Sequence, residues 1–132
     1  MTAGYSGTPQ WKKLGIKPGS RVSLHAVPAG WTLTDPPEHE QTDGPADVIV
    51  AFMRSAAELS AAIEELGERI FPAGSLWIAW PRRAAGHSSD ITDNVIREVV
   101  LPLGLVDVKV AAIDHDWSGV KVVWRVENRQ KR

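Results

Sequence analysis

The sequence contains no cysteine. Disulfide bonds, thiol nucleophiles and cysteine-ligated metal sites are therefore excluded, and a chain of this kind fits a reducing compartment. Aromatic residues other than tryptophan are also scarce, since one tyrosine and two phenylalanines stand beside six tryptophans. The tryptophans are therefore the aromatic residues whose placement matters.

Long apolar runs and an excess of one charge are missing too. No stretch approaches the roughly 18 apolar residues of a membrane-spanning helix. Residues 1–10 are small and polar, so no secretory signal is predicted. The formal net charge of −1 gives no overall field toward nucleic acid or an anionic membrane. We expect a cytoplasmic protein without a nucleic-acid or membrane partner.

The composition that remains fits one domain. The 132 residues are 43% hydrophobic and 23% charged, as in an ordinary globular chain with a single core. Residues 1–8 are rich in glycine and serine and are predicted to form a flexible arm. Residues 128–132 are predicted to form a solvated basic tail. The domain prediction is one α/β domain over residues 1–132.

Apolar runs bounded by turn residues predict five strands. The strands are expected at residues 21–27, 47–53, 75–80, 105–113 and 120–126. The second run is apolar almost throughout, which is typical of a strand buried on both faces. Residues 28–44 hold three prolines and a polar cluster, and are predicted to be a loop with at most one turn of helix.

Three helices are predicted between the strands. They are expected at residues 9–14, from residue 55 to about 70, and from residue 90 or 92 to about 100. The longest begins with a capping box, in which Ser55 and Glu58 each bond a free backbone amide. It also carries Glu65 and Arg69 in the favourable i, i+4 order for an ion pair.

This order of elements predicts the topology. Strand–helix–strand steps with right-handed crossovers make the first three strands parallel. The last two strands are joined by residues 114–119 alone and therefore pair antiparallel. The fold-class prediction is a single Rossmann-like α/β domain of two or three layers. Its five-stranded sheet is mostly parallel, in the order 1-2-3-5-4, and only the last strand is antiparallel.

Several short sequence segments resemble those of known protein families. LGIKPGSRV at 14–22 and FPAGSLWI at 71–78 look like the steps into two strands of class I S-adenosylmethionine-dependent methyltransferases, and the closing hairpin resembles their last two strands. Nearly the whole chain resembles an uncharacterised bacterial family, domain-of-unknown-function family 3052. That resemblance rests on YSGTP at 5–9, WIAWPRR at 77–83, LPLGLVDVKV at 101–110 and WSG at 117–119. It implies a methyltransferase-like fold and no particular activity.

The sequence departs from the methyltransferase pattern where the cofactor would bind. Glycines after the first strand let the backbone approach a nucleotide, whereas HAVPAGW at 25–31 has one glycine, a proline and a bulky indole. Residues 28–44 are also too few for the strand that carries the ribose-binding acid together with its flanking helices. No cofactor is therefore predicted.

The loop after the third strand is the best candidate for a ligand site. Ligands of open α/β sheets bind beyond the carboxyl ends of the strands, and arginines, serine hydroxyls and helix amides suit a phosphate or a carboxylate. We predict a small-anion site formed by Arg82, Arg83, Gly86, His87, Ser88 and Ser89. The alternative is a solvated loop in which Asp90 caps the following helix and fills its terminus.

The sequence evidence for a catalytic or a metal site is weaker than that for the anion site. His87, Ser88 and Asp90 have the residue types of a hydrolase triad, but adjacency in sequence does not create triad geometry. The acid–histidine–acid runs at 38–40 and 114–116 contain metal-ligand types without a second cluster at metal spacing. No catalytic residue and no metal ligand is predicted.

A second candidate surface comes from strand alternation. Trp80 and Trp124 share faces with aliphatic neighbours and are predicted to lie in the core. Trp77 points to the opposite face, which receives only the short first helix and the loop at 28–44. A thinly covered face with a large aromatic predicts contact with a protein partner or a second copy of the chain. Its candidate residues are Trp77, Lys109, Lys121 and Arg125. The alternative is that the N-terminal arm and Trp31 cover this face.

Two functional hypotheses follow. The first is a non-catalytic binding or regulatory module on a reduced methyltransferase-like scaffold, contacting a protein partner or a small anionic ligand. The second is a divergent transferase or hydrolase acting on an anionic metabolite. There Arg82 and Arg83 hold the substrate and His25 or His87 is the acid or base. The second hypothesis requires His25 and Arg82 to face one pocket.

Overall fold

The computed structural model describes residues 8–130. Residues 1–7 of the predicted arm and residues 131–132 of the predicted tail lie outside the described residues. The helices are α1 (Gln10–Leu14), α2 (Ala56–Ile70) and α3 (Asp93–Val100). The strands are β1 (Arg21–His25), β2 (Glu40–Gln41), β3 (Val48–Phe52), β4 (Ser75–Pro81), β5 (Leu105–Ala112) and β6 (Trp117–Trp124).

The six strands form one sheet in the order β2-β1-β3-β4-β6-β5. The first four strands of that order pair in parallel, β6 is antiparallel to β4, and β5 is antiparallel to β6. The α/β class with a mostly parallel sheet is confirmed. The predicted strand count is wrong and the full order differs, because a sixth strand, β2, pairs with β1 at the edge of the sheet. The five predicted strands keep their predicted relative order.

The extra strand lies within the segment predicted to be a loop. β2 is only two residues long, and its register on β1 matches Arg21 with Glu40. The Glu40 amide donates to the Ser20 carbonyl at 2.8 Å, and the Thr42 amide donates to the Val22 carbonyl at 3.0 Å. Backbone hydrogen bonds alone therefore define this strand, and its sequence has no alternation of apolar and polar side chains from which a strand could be predicted.

Arg69 holds the end of that segment against the sheet. Its Nη2 donates to the Ser23 hydroxyl at 2.7 Å and to the Thr42 carbonyl at 3.3 Å, and its Nε donates to the Gly44 carbonyl at 2.9 Å. Ser23 is a buried polar residue of β1, so this bond satisfies a hydroxyl that has left water. Arg69 thus ties α2 to the outer strands, where the sequence suggested an ion pair with Glu65.

The capping side chains are partly rearranged relative to the prediction. Ser55 accepts from the Glu58 amide at 3.1 Å, as in a capping box, but the Glu58 carboxylate accepts from the amide of Arg54 instead of Ser55. Thr92 caps α3, while Asp90 accepts from the amide of Ala56 at 2.8 Å and so caps α2. The Asp90 carboxylate therefore joins the loop after β4 to the start of α2.

Each face of the sheet carries its own apolar cluster. On one face α2 and α3 pack against alternate residues of the central strands, and the half-buried Trp80 and Trp124 join this cluster. The other face is covered by α1 and by the segment after β1. Its covering residues are Trp11, Leu14, Ile16, Trp31 and Leu33.

The second cluster corrects one prediction. Trp77 does point away from the two longer helices, but it is 0% exposed. Its indole N–H donates to the Leu14 carbonyl at 3.0 Å. Trp77 is therefore a core residue and cannot contact a partner, because α1 and the segment after β1, which contains Trp31, cover the face that was expected to be thinly covered.

Candidate functional site

A cleft of about 520 Å³ lies at the edge of the sheet where β3 and β4 end and β6 begins. This is the carboxyl end of the parallel strands, where ligands of open α/β sheets bind. The lining residues are Arg54, Pro81, His87, Ser88, Asp116 and Trp117.

Three separate segments bring these side chains together. Arg54 follows the buried end of β3, and Pro81 ends β4 with His87 and Ser88 in the loop beyond it. Asp116 is the last residue of the β5–β6 turn and Trp117 begins β6. The β5–β6 turn is fixed by Asp114, whose Oδ1 accepts from the amides of Asp116 and Trp117 at 2.9 and 3.0 Å. The hairpin turn thus positions Asp116 and Trp117 as one wall of the cleft.

Asp116 stands between two imidazoles. Its Oδ1 lies 3.0 Å from His87 Nε2 and 3.3 Å from His115 Nδ1. Hydrogen bonds from His87 and then from His115 lower the pKa of the Asp116 carboxyl. The carboxylate therefore stays ionised while it links the loop after β4 to the hairpin turn.

Arg54 lies over the aromatic floor of the cleft. Its guanidinium carbon is 5.6 Å from the centroid of the Trp117 ring, within the range of a cation–π contact. Trp117 packs edge-on against Phe52 with centroids 5.0 Å apart, and Phe52 meets Trp31 in the same way at 4.8 Å. The floor is therefore a rigid aromatic layer beneath an exposed arginine.

The predicted anion residues separate in the structure. His87 and Ser88 line the cleft, but Arg82 turns to the hairpin, where its Nη1 donates to the His115 carbonyl at 2.9 Å. Ser89 donates to the Arg54 carbonyl at 3.1 Å and accepts from the Ile91 amide, so its hydroxyl is used in the loop. Arg83 is exposed and begins a 3₁₀ turn (Arg83–Ala85), which Gly86 ends with φ of 91°.

The predicted catalytic groupings do not assemble. The Asp90 carboxylate is held at the start of α2, away from any bond to His87, so the His87, Ser88 and Asp90 types do not form a triad. Neither His25 nor Arg82 lines the cleft. Within residues 8–130, no three histidine, aspartate or glutamate side chains converge in a way that could hold a metal ion.

Of the remaining partner-surface residues, the two lysines are adjacent and Arg125 lies apart from them. Lys109 of β5 stands opposite Lys121 of β6, and neither lysine ion-pairs with an acid in the described part of the chain. Arg125 lies beyond the end of β6 and pairs with Glu127 at 2.9 Å. A bulge between Asp107 and Lys109 interrupts β5.

A larger groove of about 1310 Å³ lies at the opposite end of the sheet. α2, the turn at Leu101–Leu103 and the end of β6 form its walls, with Glu64 and Arg125 among the charged residues. Asn128 and Arg129, from the start of the predicted basic tail, hydrogen-bond to the Gly104 and Trp124 carbonyls beside it. The carboxyl-end cleft is the better candidate for a ligand site, because an arginine, a histidine and a serine line the same small space there.

No protein-family model matches the chain, and a search of curated proteins finds no match. The resemblances to domain-of-unknown-function family 3052 and to methyltransferases therefore stay predictions. Among the described residues, no helix has the length and apolar character to span a bilayer.

Sequence reasoning missed Arg54, Pro81, Asp116 and Trp117 as members of one site. Arg54 carried a signal, since it is the first charged residue after the buried strand β3 and so lies at the carboxyl edge. Asp116 and Trp117 carried none, because only the folded hairpin brings them next to the loop after β4.

Proposed function

We propose that this protein is a non-catalytic binding module that takes a small anionic ligand in the carboxyl-end cleft. The scaffold is a reduced methyltransferase-like domain in this proposal. The observation that carries it is the convergence of the Arg54 guanidinium, His87 and the Ser88 hydroxyl above a floor of Pro81 and Trp117.

Arg54 supplies the strongest support. Within residues 8–130 its guanidinium makes no ion pair, and its contact is with an aromatic ring. A guanidinium of this kind offers a fixed fork of donors to a phosphate or a carboxylate. Ser88 is exposed beside it and adds a hydroxyl donor. Arg54 therefore takes the role that the sequence had assigned to Arg82 and Arg83.

The floor favours a ligand with an apolar part. Proline and indole carbons line the cleft below the arginine, so a ring or short chain attached to the anion would leave water on binding. Trp31 argues against an adenosyl group, because its indole lies against the end of β3 and donates to Asp114 at 2.7 Å. A phosphomonoester or carboxylate with a small ring fits these features.

Titration of ¹⁵N-labelled protein with inorganic phosphate and with phenyl phosphate tests the proposal. We expect shifts at the amides of Ser88 and Trp117, and tighter binding of phenyl phosphate. Arg54→Met should weaken binding by about 10-fold or more, because a charged hydrogen bond contributes about 1.5–3 kcal/mol. Arg125→Met is the matched control, because Arg125 lies at the other end of β6. Millimolar ligand without shifts at the cleft would refute the proposal.

An enzyme is the second candidate, because His87 and Asp116 form a hydrogen-bonded pair beside Ser88. A hydrolase nucleophile needs such a base within hydrogen-bond reach. The described structure has no hydrogen bond between the His87 ring and the Ser88 hydroxyl, which is why binding is preferred. Turnover of p-nitrophenyl acetate that His87→Gln abolishes would favour the enzyme.

A protein partner or a second copy of the chain is the other interaction expected from the sequence. With Trp77 buried, its support is reduced to Lys109 and Lys121. Like charges directly opposite each other across two strands destabilise the pair, and an acidic partner would relieve that repulsion. This surface is secondary in our proposal because its aromatic residue, Trp77, is buried, whereas the Trp117 ring lies directly under the Arg54 guanidinium.

A further inference from the structure

We propose that the ligand of the carboxyl-end cleft is a zwitterion, a free α-amino acid with an apolar side chain, whose carboxylate meets Arg54 and whose ammonium group meets Asp116. This inference rests on the proposed function and adds the chemical class of the ligand. The observation behind it is that one cation and one anion line the same cleft, yet no ion pair joins them in the described part of the chain.

Asp116 has an acceptor oxygen to spare. Its Oδ1 lies within hydrogen-bond distance of His87 and His115, whereas within residues 8–130 its Oδ2 accepts no hydrogen bond. The side chain is 56% exposed, so a ligand can reach it. Hydrogen bonds from the two histidines lower the pKa of the carboxyl and keep it ionised. Asp116 therefore offers an anionic acceptor to an ammonium group, which carries three donors.

Arg54 supplies the opposite charge in the same cleft. Among the described residues, its guanidinium donates no hydrogen bond and contacts the Trp117 ring instead. The cleft volume of about 520 Å³ is in the range of small-molecule sites, about 300–1,000 Å³. An α-amino acid carries its carboxylate and ammonium group on one carbon atom, so it meets both charges without a flexible linker to be ordered. Its apolar side chain then shares the cleft with Pro81 and Trp117.

Three probes with the same phenyl ring separate the two charges. L-Phenylalanine carries both, 3-phenylpropionate has only the carboxylate, and phenethylamine has only the ammonium group. We would titrate each into ¹⁵N-labelled protein at about pH 7 and measure Kd from shifts at the Ser88 and Trp117 amides. The attraction between unit charges about 4 Å apart in water corresponds to about fivefold in Kd. We therefore expect L-phenylalanine to bind at least about fivefold more tightly than either of the other two.

Asp116→Asn removes the negative charge of the cleft and keeps the turn. The amide of residue 116 donates to Asp114 Oδ1 and its carbonyl accepts from the Arg82 amide at 2.8 Å, so neither bond needs the carboxylate. We expect the variant to bind L-phenylalanine about fivefold more weakly, and 3-phenylpropionate at least as tightly as the wild type does. Asp43→Asn is the matched control, because Asp43 is exposed and precedes β3, whereas Arg54 follows it. It should keep the wild-type Kd values.

The outcomes separate this inference from the proposed function. If 3-phenylpropionate binds as tightly as L-phenylalanine, or if the preference for L-phenylalanine survives in Asp116→Asn, the inference is overturned and the anion site stands. Phenethylamine binding as tightly as L-phenylalanine would also overturn it, because the carboxylate would then contribute nothing. Absence of shifts at the cleft with all three probes and with phenyl phosphate would refute both proposals. A preference for L-phenylalanine that Asp116→Asn abolishes would establish the zwitterion site.

Discussion

Replacing Trp77 by phenylalanine tests the assignment of this residue to the core rather than to an interaction surface. The indole is 0% exposed and its N–H donates to the Leu14 carbonyl at 3.0 Å. Phenylalanine keeps an aromatic ring on β4 but has no N–H. The change therefore removes one buried hydrogen bond and leaves the Leu14 carbonyl without its donor.

The cost has two parts. The lost bond and the unsatisfied carbonyl together cost about 1–3 kcal/mol. The ring atoms that phenylalanine lacks correspond to about two buried methylene groups, at about 0.8 kcal/mol each. We expect Trp77→Phe to lower the free energy of unfolding by about 3 kcal/mol, which is a large share of the roughly 5–15 kcal/mol typical of a small domain.

Urea denaturation followed by far-ultraviolet circular dichroism measures this loss. Trp124→Phe is the matched control, because the Trp124 indole also donates to a carbonyl, that of Gly67 at 2.9 Å, but is only half-buried. Water can reach that carbonyl after the exchange, so we expect a loss of about 1 kcal/mol. A Trp77→Phe protein as stable as the wild type, or more stable than Trp124→Phe, would refute the burial argument.

Three further changes test other parts of the fold. The Arg21 amide and guanidinium lower the pKa of Asp47, so Asp47→Asn should lose stability at neutral pH. The difference should stay under about 1 kcal/mol because both side chains are half-exposed, and vanish as the pH falls through the lowered pKa. A Cβ at Gly74 would lie 2.7 and 2.9 Å from two backbone carbonyl oxygens, so Gly74→Ala should lower the free energy of unfolding by about 3 kcal/mol in urea denaturation. Gly44→Ala is the control, because a Cβ there would have its nearest neighbour at 3.8 Å, and it should change stability by less than about 0.5 kcal/mol. Lys109 and the bulge beside it protect the edge strand β5, with its exposed valines, from pairing with another chain. Lys109→Val should therefore make the protein self-associate at lower concentration in sedimentation velocity, and unchanged sedimentation would contradict this.

Most of the regular structure could be predicted because its signals are local. Apolar runs located β1, β3, β4, β5 and β6 to within a few residues, and Ser55 and Thr92 located two helix starts. β2 could not be predicted in this way. Its two residues, Glu40 and Gln41, are exposed and polar, and the segment is held by backbone pairing and by Arg69 from a distant helix.

The covering of the second face shows the limit of strand alternation. Alternation correctly placed Trp77 and Trp80 on opposite sides of the sheet. It could not say how completely each side is covered, because that depends on how α1, which precedes β1, and Trp31, which follows it, pack back onto the sheet. A five-residue helix with one buried side chain, Leu14, gives too weak a pattern to reveal that it covers a tryptophan.

The candidate site could be predicted in position but not in detail. The order of strands and helices placed it beyond the end of β4, and His87 and Ser88 do line the cleft there. Which arginine faces the cleft depends on the hairpin turn, since the His115 carbonyl draws Arg82 away and leaves the space to Arg54. Such a choice between neighbouring arginines is made by tertiary contacts.

The aromatic layer connects the expected lack of a nucleotide site with the proposed anion site. Phe52 ends β3 and meets Trp31 on one side and Trp117 on the other. The indole of Trp31 lies where a flexible glycine loop would let a nucleotide approach, while the indole of Trp117 supports Arg54 over the neighbouring cleft. The same three rings therefore favour a ligand recognised through its anionic group over one recognised through adenosine. Adenosine should then fail to displace phenyl phosphate in a competition titration, and displacement would contradict this preference.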